Sequence, residues 1–244
     1  SFYALAWPQI FMPPRYRQQA HRDPLVLVIL AGWGLGSPGP SNPLSVARTP
    51  VFTRLWRTAP HTTLHASGRW VGLPPTQAGN SESGHMNIGA GRIVPQDAVR
   101  ISRAINQGTF FHNPVLDKAI RHVQARRSQL HLMGLLSSTQ SAHAAPDHLY
   151  ALLTLARLNG VRRVALHLFT DGRDSPRHAA LKLVEALMRA LRPHERIATV
   201  MGRYYAMDRN KNWTRTQLAY DAMTRGSGLK AASPQAAITE SYNR

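Results

Sequence analysis

The chain has 244 residues, 43% of them hydrophobic, with 30 Lys plus Arg against 12 Asp plus Glu and a formal charge of +18. That apolar share supports a folded core of one large or two small domains and excludes wholesale disorder. The lack of Cys excludes a disulfide framework, a thiolate metal site and a Cys nucleophile, while the charge points to a polyanionic partner.

Residues 1–23 have no hydrophobic period, carry Pro8, Pro13 and Pro14, and are poor in acids. They read as a basic N-terminal arm. Its composition fits the remainder of an organellar transit peptide, and fits an arbitrary boundary equally well. The continuous apolar run 25–30 predicts a strand buried on both faces, and it is too short to cross a bilayer. Residues 44–57 look helical with Pro50 interrupting them. A short strand is expected at 62–66, and 79–92 is Gly-rich with no hydrophobic period.

The second half is plainer. Residues 130–136 predict a strand. Asp147 is expected to cap a helix whose Leu149, Leu152, Leu153 and Ala156 share one face, with Gly160 stopping it. A strand follows at 164–169. Ser175-Pro176 predicts the start of a helix running to Leu191. A third strand is expected at 197–201, and a helix at 213–225 ended by Gly226. Alternating strands and helices with short connections mean an α/β fold, a parallel sheet with flanking helices.

In such sheets ligands gather at the carboxyl ends of the strands. The loops there hold His143, the stretch Asp171-Gly172-Arg173-Asp174, and Arg203 with Arg209. Arg forks beside a His and a carboxylate suit a small phosphorylated anion, although the same groups can simply pair with one another. Ser81, between Gly79 and Gly84, offers a hydroxyl on a tight turn. A Ser nucleophile needs a neighbouring base or a metal to activate it.

The strings GWG (32–34), GNSESGHMNIGAGRIV (79–94), FFHNP (110–114), LHLMGLLSS (130–138), DGRDSP (171–176) and GRYYAMDRNKNW (202–213) resemble, in colinear order, the cofactor-independent phosphoglycerate mutases. The resemblance runs from about residue 24 onward. It implies a partial alkaline-phosphatase-type α/β portion over 24–95 and a transferase-like α/β domain over 96–244. It also implies that Ser81 is the phosphorylated nucleophile, and that His143, Arg173, Asp174, Arg203 and Arg209 bind substrate.

Members of that family use two manganese ions. One ligand is an Asp at the position held here by Ala31, whose methyl cannot coordinate a cation. The family also continues past the position of Arg244 with the residues that complete both metal sites. On that resemblance the expectation is a chain without catalytic activity or metal. It would be recruited as a basic subunit of a ribonucleoprotein, most naturally a mitochondrial ribosome, with neighbouring subunits covering the incomplete sheet. The RNA-contact candidates are Arg15, Arg17 and Arg22 in the arm, with Arg121, Arg126 and Arg127. The alternatives are a phosphoglycerate mutase completed by a separate chain and a module that binds a phosphorylated metabolite.

Overall fold

Three parallel strands in the order β1-β2-β3 organise the C-terminal half: β1 (Leu130–Leu136), β2 (Val164–Thr170) and β3 (Glu195–Gly202). The computed structural model describes residues 24–243, so the arm with Arg15, Arg17 and Arg22 lies outside the described residues. Chain contacts divide the protein into two units, Ser1–Val94 and Pro95–Arg244.

In the first unit, α1 (Pro43–Val46) and α2 (Pro50–Thr58) take the place of one interrupted helix. Pro50 begins α2 rather than breaking it, because Pro at the first turn gives up no intrahelical hydrogen bond. Trp33, Phe52, Trp56 and His61 make a run of ring contacts with centroids 3.9–6.0 Å apart.

The expected strand at 25–30 does not form, and Leu25, Val26 and Leu27 are exposed at 95%, 76% and 60%. A strand needs a neighbour for its backbone N–H and C=O groups. Among the described residues none lies alongside it. The strand expected at 62–66 reduces in the same way to a single bridge residue, Leu64. Residues 79–92, which show no period, contain α3 (Ser81–Ala90). This helix is set by its ends: Asn80 Oδ1 accepts from Ser83 N at 2.9 Å, and Gly91 closes it in the left-handed region at φ 62°.

In the second unit, α4 (Asp97–Asn106) and α5 (Pro114–Ala125) precede β1, and α6 (Pro146–Leu158) connects it to β2. Pro146, not Asp147, opens α6, and Asp147 sits in its first turn. The connection to β3 is α7 (Ala179–Ala190), which starts three residues after Pro176 because 176–179 close a separate turn, with Ala179 N donating to Pro176 O at 3.0 Å. Then come α8 (Arg203–Ala206), α9 (Trp213–Arg225), ended by Gly226 at φ 64°, and α10 (Pro234–Tyr242).

β2 is the central strand, and Val164, Ala165 and Leu166 on it are fully buried. Val164 and Leu166 pack with Leu153 of α6 and with Val184 and Leu187 of α7. Each large apolar side chain buried this way contributes roughly 1.5–3 kcal/mol. Where the sheet face carries polar groups they are paired across strands: His167 bonds His131 and Thr199, both at 2.9 Å. Burial and then repulsion from His131 hold the His167 imidazole below its ordinary pKa.

Candidate functional site

The turn after β2 is built around one carboxylate. Asp171 has a fully buried side chain. It accepts hydrogen bonds from Ser137 Oγ, from Arg203 Nη1 at 2.8 Å, and from the backbone N–H groups of Arg173 at 3.0 Å and Asp174 at 3.2 Å. Ser137 follows β1 and Arg203 follows β3, so Asp171 ties together the carboxyl ends of all three strands. Burial alone would raise its pKa. The bonds from Ser137, Arg203 and the two amides outweigh burial and bring it to about 2.

Asp174 completes the arrangement. Its Oδ2 accepts from Arg203 Nη1 at 2.8 Å and from Ser141 Oγ at 2.9 Å. Here too burial pushes upward, and the Arg203 and Ser141 bonds prevail, so the carboxyl stays below its usual range. The Arg203 side chain is 12% exposed, and one nitrogen serves both carboxylates. Its Nη2 and Nε carry no hydrogen bond among the described residues, which leaves donors for an anion.

The structure therefore joins Arg203 and Asp174 directly and adds Asp171, Ser137 and Ser141, which sequence reasoning did not single out. The available signal was the Asp-x-x-Asp spacing of 171–174, which can offer two carboxylates from one turn to a single guanidinium. His143 is exposed on the loop after β1, with its backbone N–H donating to Ser141 Oγ at 3.1 Å. Arg173 is exposed and enters the network through its amide. Arg209 is exposed on the segment between α8 and α9, where Asp208 accepts from Asn210 N, Asn212 N and Arg215 Nη1 at 2.8–2.9 Å. His148 is bonded instead to Ser102 Oγ of α4 at 2.9 Å.

Ser81 belongs to the first unit. It is exposed at the first position of α3, the positive end of the helix, where a phosphoryl group is favoured. Its hydroxyl lies 3.1 Å from His85 Nδ1, one turn along, and the same nitrogen lies 2.7 Å from Ser81 O. These contacts need opposite tautomers. With the proton on Nδ1 the ring donates to the carbonyl, and with it on Nε2 the ring accepts from the hydroxyl. Ser-x-x-x-His on a helix was the signal for this pair.

Of the RNA-contact candidates among the described residues, Arg121 is paired with Asp117 at 2.7 Å, and Arg126 and Arg127 are exposed. Ala31 is exposed in the turn after 24–30. Among the described residues no group of three or more His, Asp or Glu comes together as a metal site. Ser81 and His85 alone do not make up the donor set of a divalent cation.

The family profile described as BPG-independent PGAM N-terminus matches residues 101–244. The 2,3-bisphosphoglycerate-independent phosphoglycerate mutase of Moorella thermoacetica is 51% identical over 91% of this chain and 43% of its own length. That of Chloroflexus aurantiacus is 52% identical over 91% and 41%. A crystal structure of Leishmania mexicana phosphoglycerate mutase at low cobalt concentration superposes with a TM-score of 0.73 at 28% identity, covering 83% of this chain and 39% of that one. The chain thus spans about two-fifths of the length of these relatives. Relatives about half identical over nine-tenths of the chain are named as mutases. That overturns the expectation of a non-catalytic relative, which rested on Ala31 and on the family's residues beyond the position of Arg244.

Proposed function

The chain belongs to the 2,3-bisphosphoglycerate-independent phosphoglycerate mutase family, and from that membership we propose that it serves the interconversion of 2- and 3-phosphoglycerate. It would do so together with the portion its relatives carry outside the matched region, in the same polypeptide or in a separate chain. The observation that carries the reading is Ser81, exposed at the head of α3 with its hydroxyl against His85, in a chain so similar to named mutases.

In this reading Ser81 Oγ bonds to phosphorus as the P–O bond of the substrate breaks, and the hydroxyl proton passes to His85 Nδ1, in its Nε2–H tautomer, and from there to the departing glycerate oxygen. In the return step the other glycerate hydroxyl bonds to phosphorus as the Ser81 O–P bond breaks, and its proton passes through His85 back to Ser81 Oγ. In the second unit, taken by itself, Arg203 has two unengaged nitrogens with which to bind a phosphate or carboxylate. Asp174, 24% exposed, has acceptor capacity left for a glycerate hydroxyl. Arg173 and Arg209 are exposed around the same loops and supply further charge, and His143 is exposed beside them. The relatives' names speak of mutase chemistry and not of a ribosome, so the mutase reading stands ahead of recruitment to a mitochondrial ribosome.

Calorimetric titration with 3-phosphoglycerate tests the Asp171–Arg203 rim at the carboxyl ends of the strands. Arg203→Lys removes the planar fork and keeps the charge, and it should weaken binding at least about tenfold, since one charge-assisted bond is worth roughly 1.5–3 kcal/mol. Unchanged affinity in that variant would remove Arg203 from the site.

A further inference from the structure

The end of the sheet opposite the rim is a front of arginine. Arg126 and Arg127 lie just before β1, Arg162 and Arg163 just before β2, and Arg192 and Arg196 on either side of the start of β3. The approaches to the strands are stitched together. Leu130 N donates to Arg163 O at 2.9 Å, and Val164 N to His194 O at 3.2 Å. The parallel register sets Leu130 beside Val164 and Val164 beside Glu195. Neighbouring strands are about 4.8 Å apart, so the front is roughly 10 Å across at its base.

All six arginines are exposed. Among the described residues no carboxylate forms an ion pair with any of their guanidinium groups, and Glu195 meets Arg192 only through its backbone N–H at 2.9 Å. Glu195, the carboxylate within the row, is 5% exposed and is held by Arg157 through bonds of 2.7 and 2.6 Å. Some of this charge answers the carboxyl ends of α5, α6 and α7, which arrive at the same edge. Each helix end carries roughly half a negative charge, so three of them balance fewer than two arginines.

We propose that this edge is a sequence-independent binding site for the phosphate backbone of a nucleic acid, separate from the Asp171–Arg203 rim. The six cations are all guanidinium groups, whose flat forks match phosphate oxygens, and none is a lysine. The stretches 126–129, 159–163 and 191–196 contain no Phe, Tyr or Trp on which bases could stack. Contacts therefore go to phosphate and sugar, and carry no base preference. The formal charge of +18 draws a polyanion in from a distance. Arg126 and Arg127, expected from sequence as RNA contacts, are one-third of this surface. Arg121, paired with Asp117, is not part of it.

The test uses the whole chain and a fluorescent oligouridylate of about 20 nucleotides, followed by anisotropy from about 50 to 200 mM salt. Single-stranded binding loses about 0.7 in the logarithmic salt slope for each phosphate contact. The triple variant Arg126→Gln, Arg162→Gln, Arg196→Gln should lower the slope by about two and weaken binding at least about tenfold near 100 mM salt. A control of equal charge, Arg48→Gln, Arg54→Gln, Arg57→Gln, should retain most of the affinity. On the unaltered protein, oligouridylate should protect Arg126, Arg162 and Arg196 from phenylglyoxal, read by mass spectrometry. Equal loss in both triple variants, absence of protection, or equally tight binding of polyglutamate or anionic vesicles would overturn the proposal.

Discussion

Replacing Asp171 by Asn should cost the second unit about 2 kcal/mol at neutral pH. The figure comes from two directions. A carboxyl brought from an ordinary 3.8 to about 2 in the folded state contributes about 2 kcal/mol of stability to the ionised form. The substitution also keeps the shape but sets a neutral amide oxygen against the Arg203 guanidinium and an NH2 donor opposite the Ser137 hydroxyl, a loss of roughly 1.5–3 kcal/mol. Asp174 still faces the Arg203 guanidinium, so the larger penalty of a buried unpaired charge is avoided.

The sign of the pH effect follows from the depressed pKa. The contribution is fully present above the unfolded value near 3.8 and is lost as pH falls towards 2. Urea unfolding read by circular dichroism, with a slope of roughly 2–3 kcal/mol per molar, should show the Asn variant's midpoint about 1 M lower at pH 7. The gap should narrow as both proteins are taken from pH 4 down to 2. An Asn variant with the wild-type midpoint at pH 7, or a gap constant down to pH 2, would refute the reasoning.

The pair of Arg157 with Glu195, whose side chain is 1% exposed, makes Glu195→Gln a costly change. Roughly 3 kcal/mol should be lost in chemical denaturation, since Arg157 keeps its charge without its partner. Leu153→Ala at a fully buried position should lose about 2–5 kcal/mol, measured the same way. Gly79→Ala would place a methyl 1.8 Å from Ala66 O. The backbone there must shift, and hydrogen exchange should show faster opening of α3 while β2 keeps its protection.

The parts of the fold that were legible are those whose burial is settled locally. Val164–Thr170 forms where its apolar run predicts a strand because the central strand is buried on both faces, and Leu130–Leu136 forms at the sheet edge, paired on one side with β2 and with Met133 left exposed. The helix ending at Arg225 stops where Gly226 takes up the left-handed region. The run 25–30 has the same apolar character and is not a strand, since its fate rests on neighbours that composition does not reveal. Helix α3 escaped notice for the opposite reason: its Gly, Ser, His and Asn positions show no period, and Asn80 and Gly91 set its ends.

The candidate site divides along the same line. The loops holding His143, Arg173, Asp174 and Arg203 could be read from strand ends and motif resemblance. Which carboxylates take up Arg203 could not, because the turn 171–174 decides it by pointing Asp171 inward onto Ser137. The pairing of arginines with Asp174, weighed as the plain alternative to anion binding, is partly what occurs. Arg203 is so engaged, and its two other nitrogens remain for a ligand.

Turnover is the most direct measurement of the central claim. The protein as it occurs in its source, incubated with 3-phosphoglycerate and followed by phosphorus NMR, should produce 2-phosphoglycerate, and Ser81→Ala in the same protein should abolish it. No 2-phosphoglycerate from the unaltered protein, or an undiminished rate in the Ser81→Ala variant, would contradict the mutase reading.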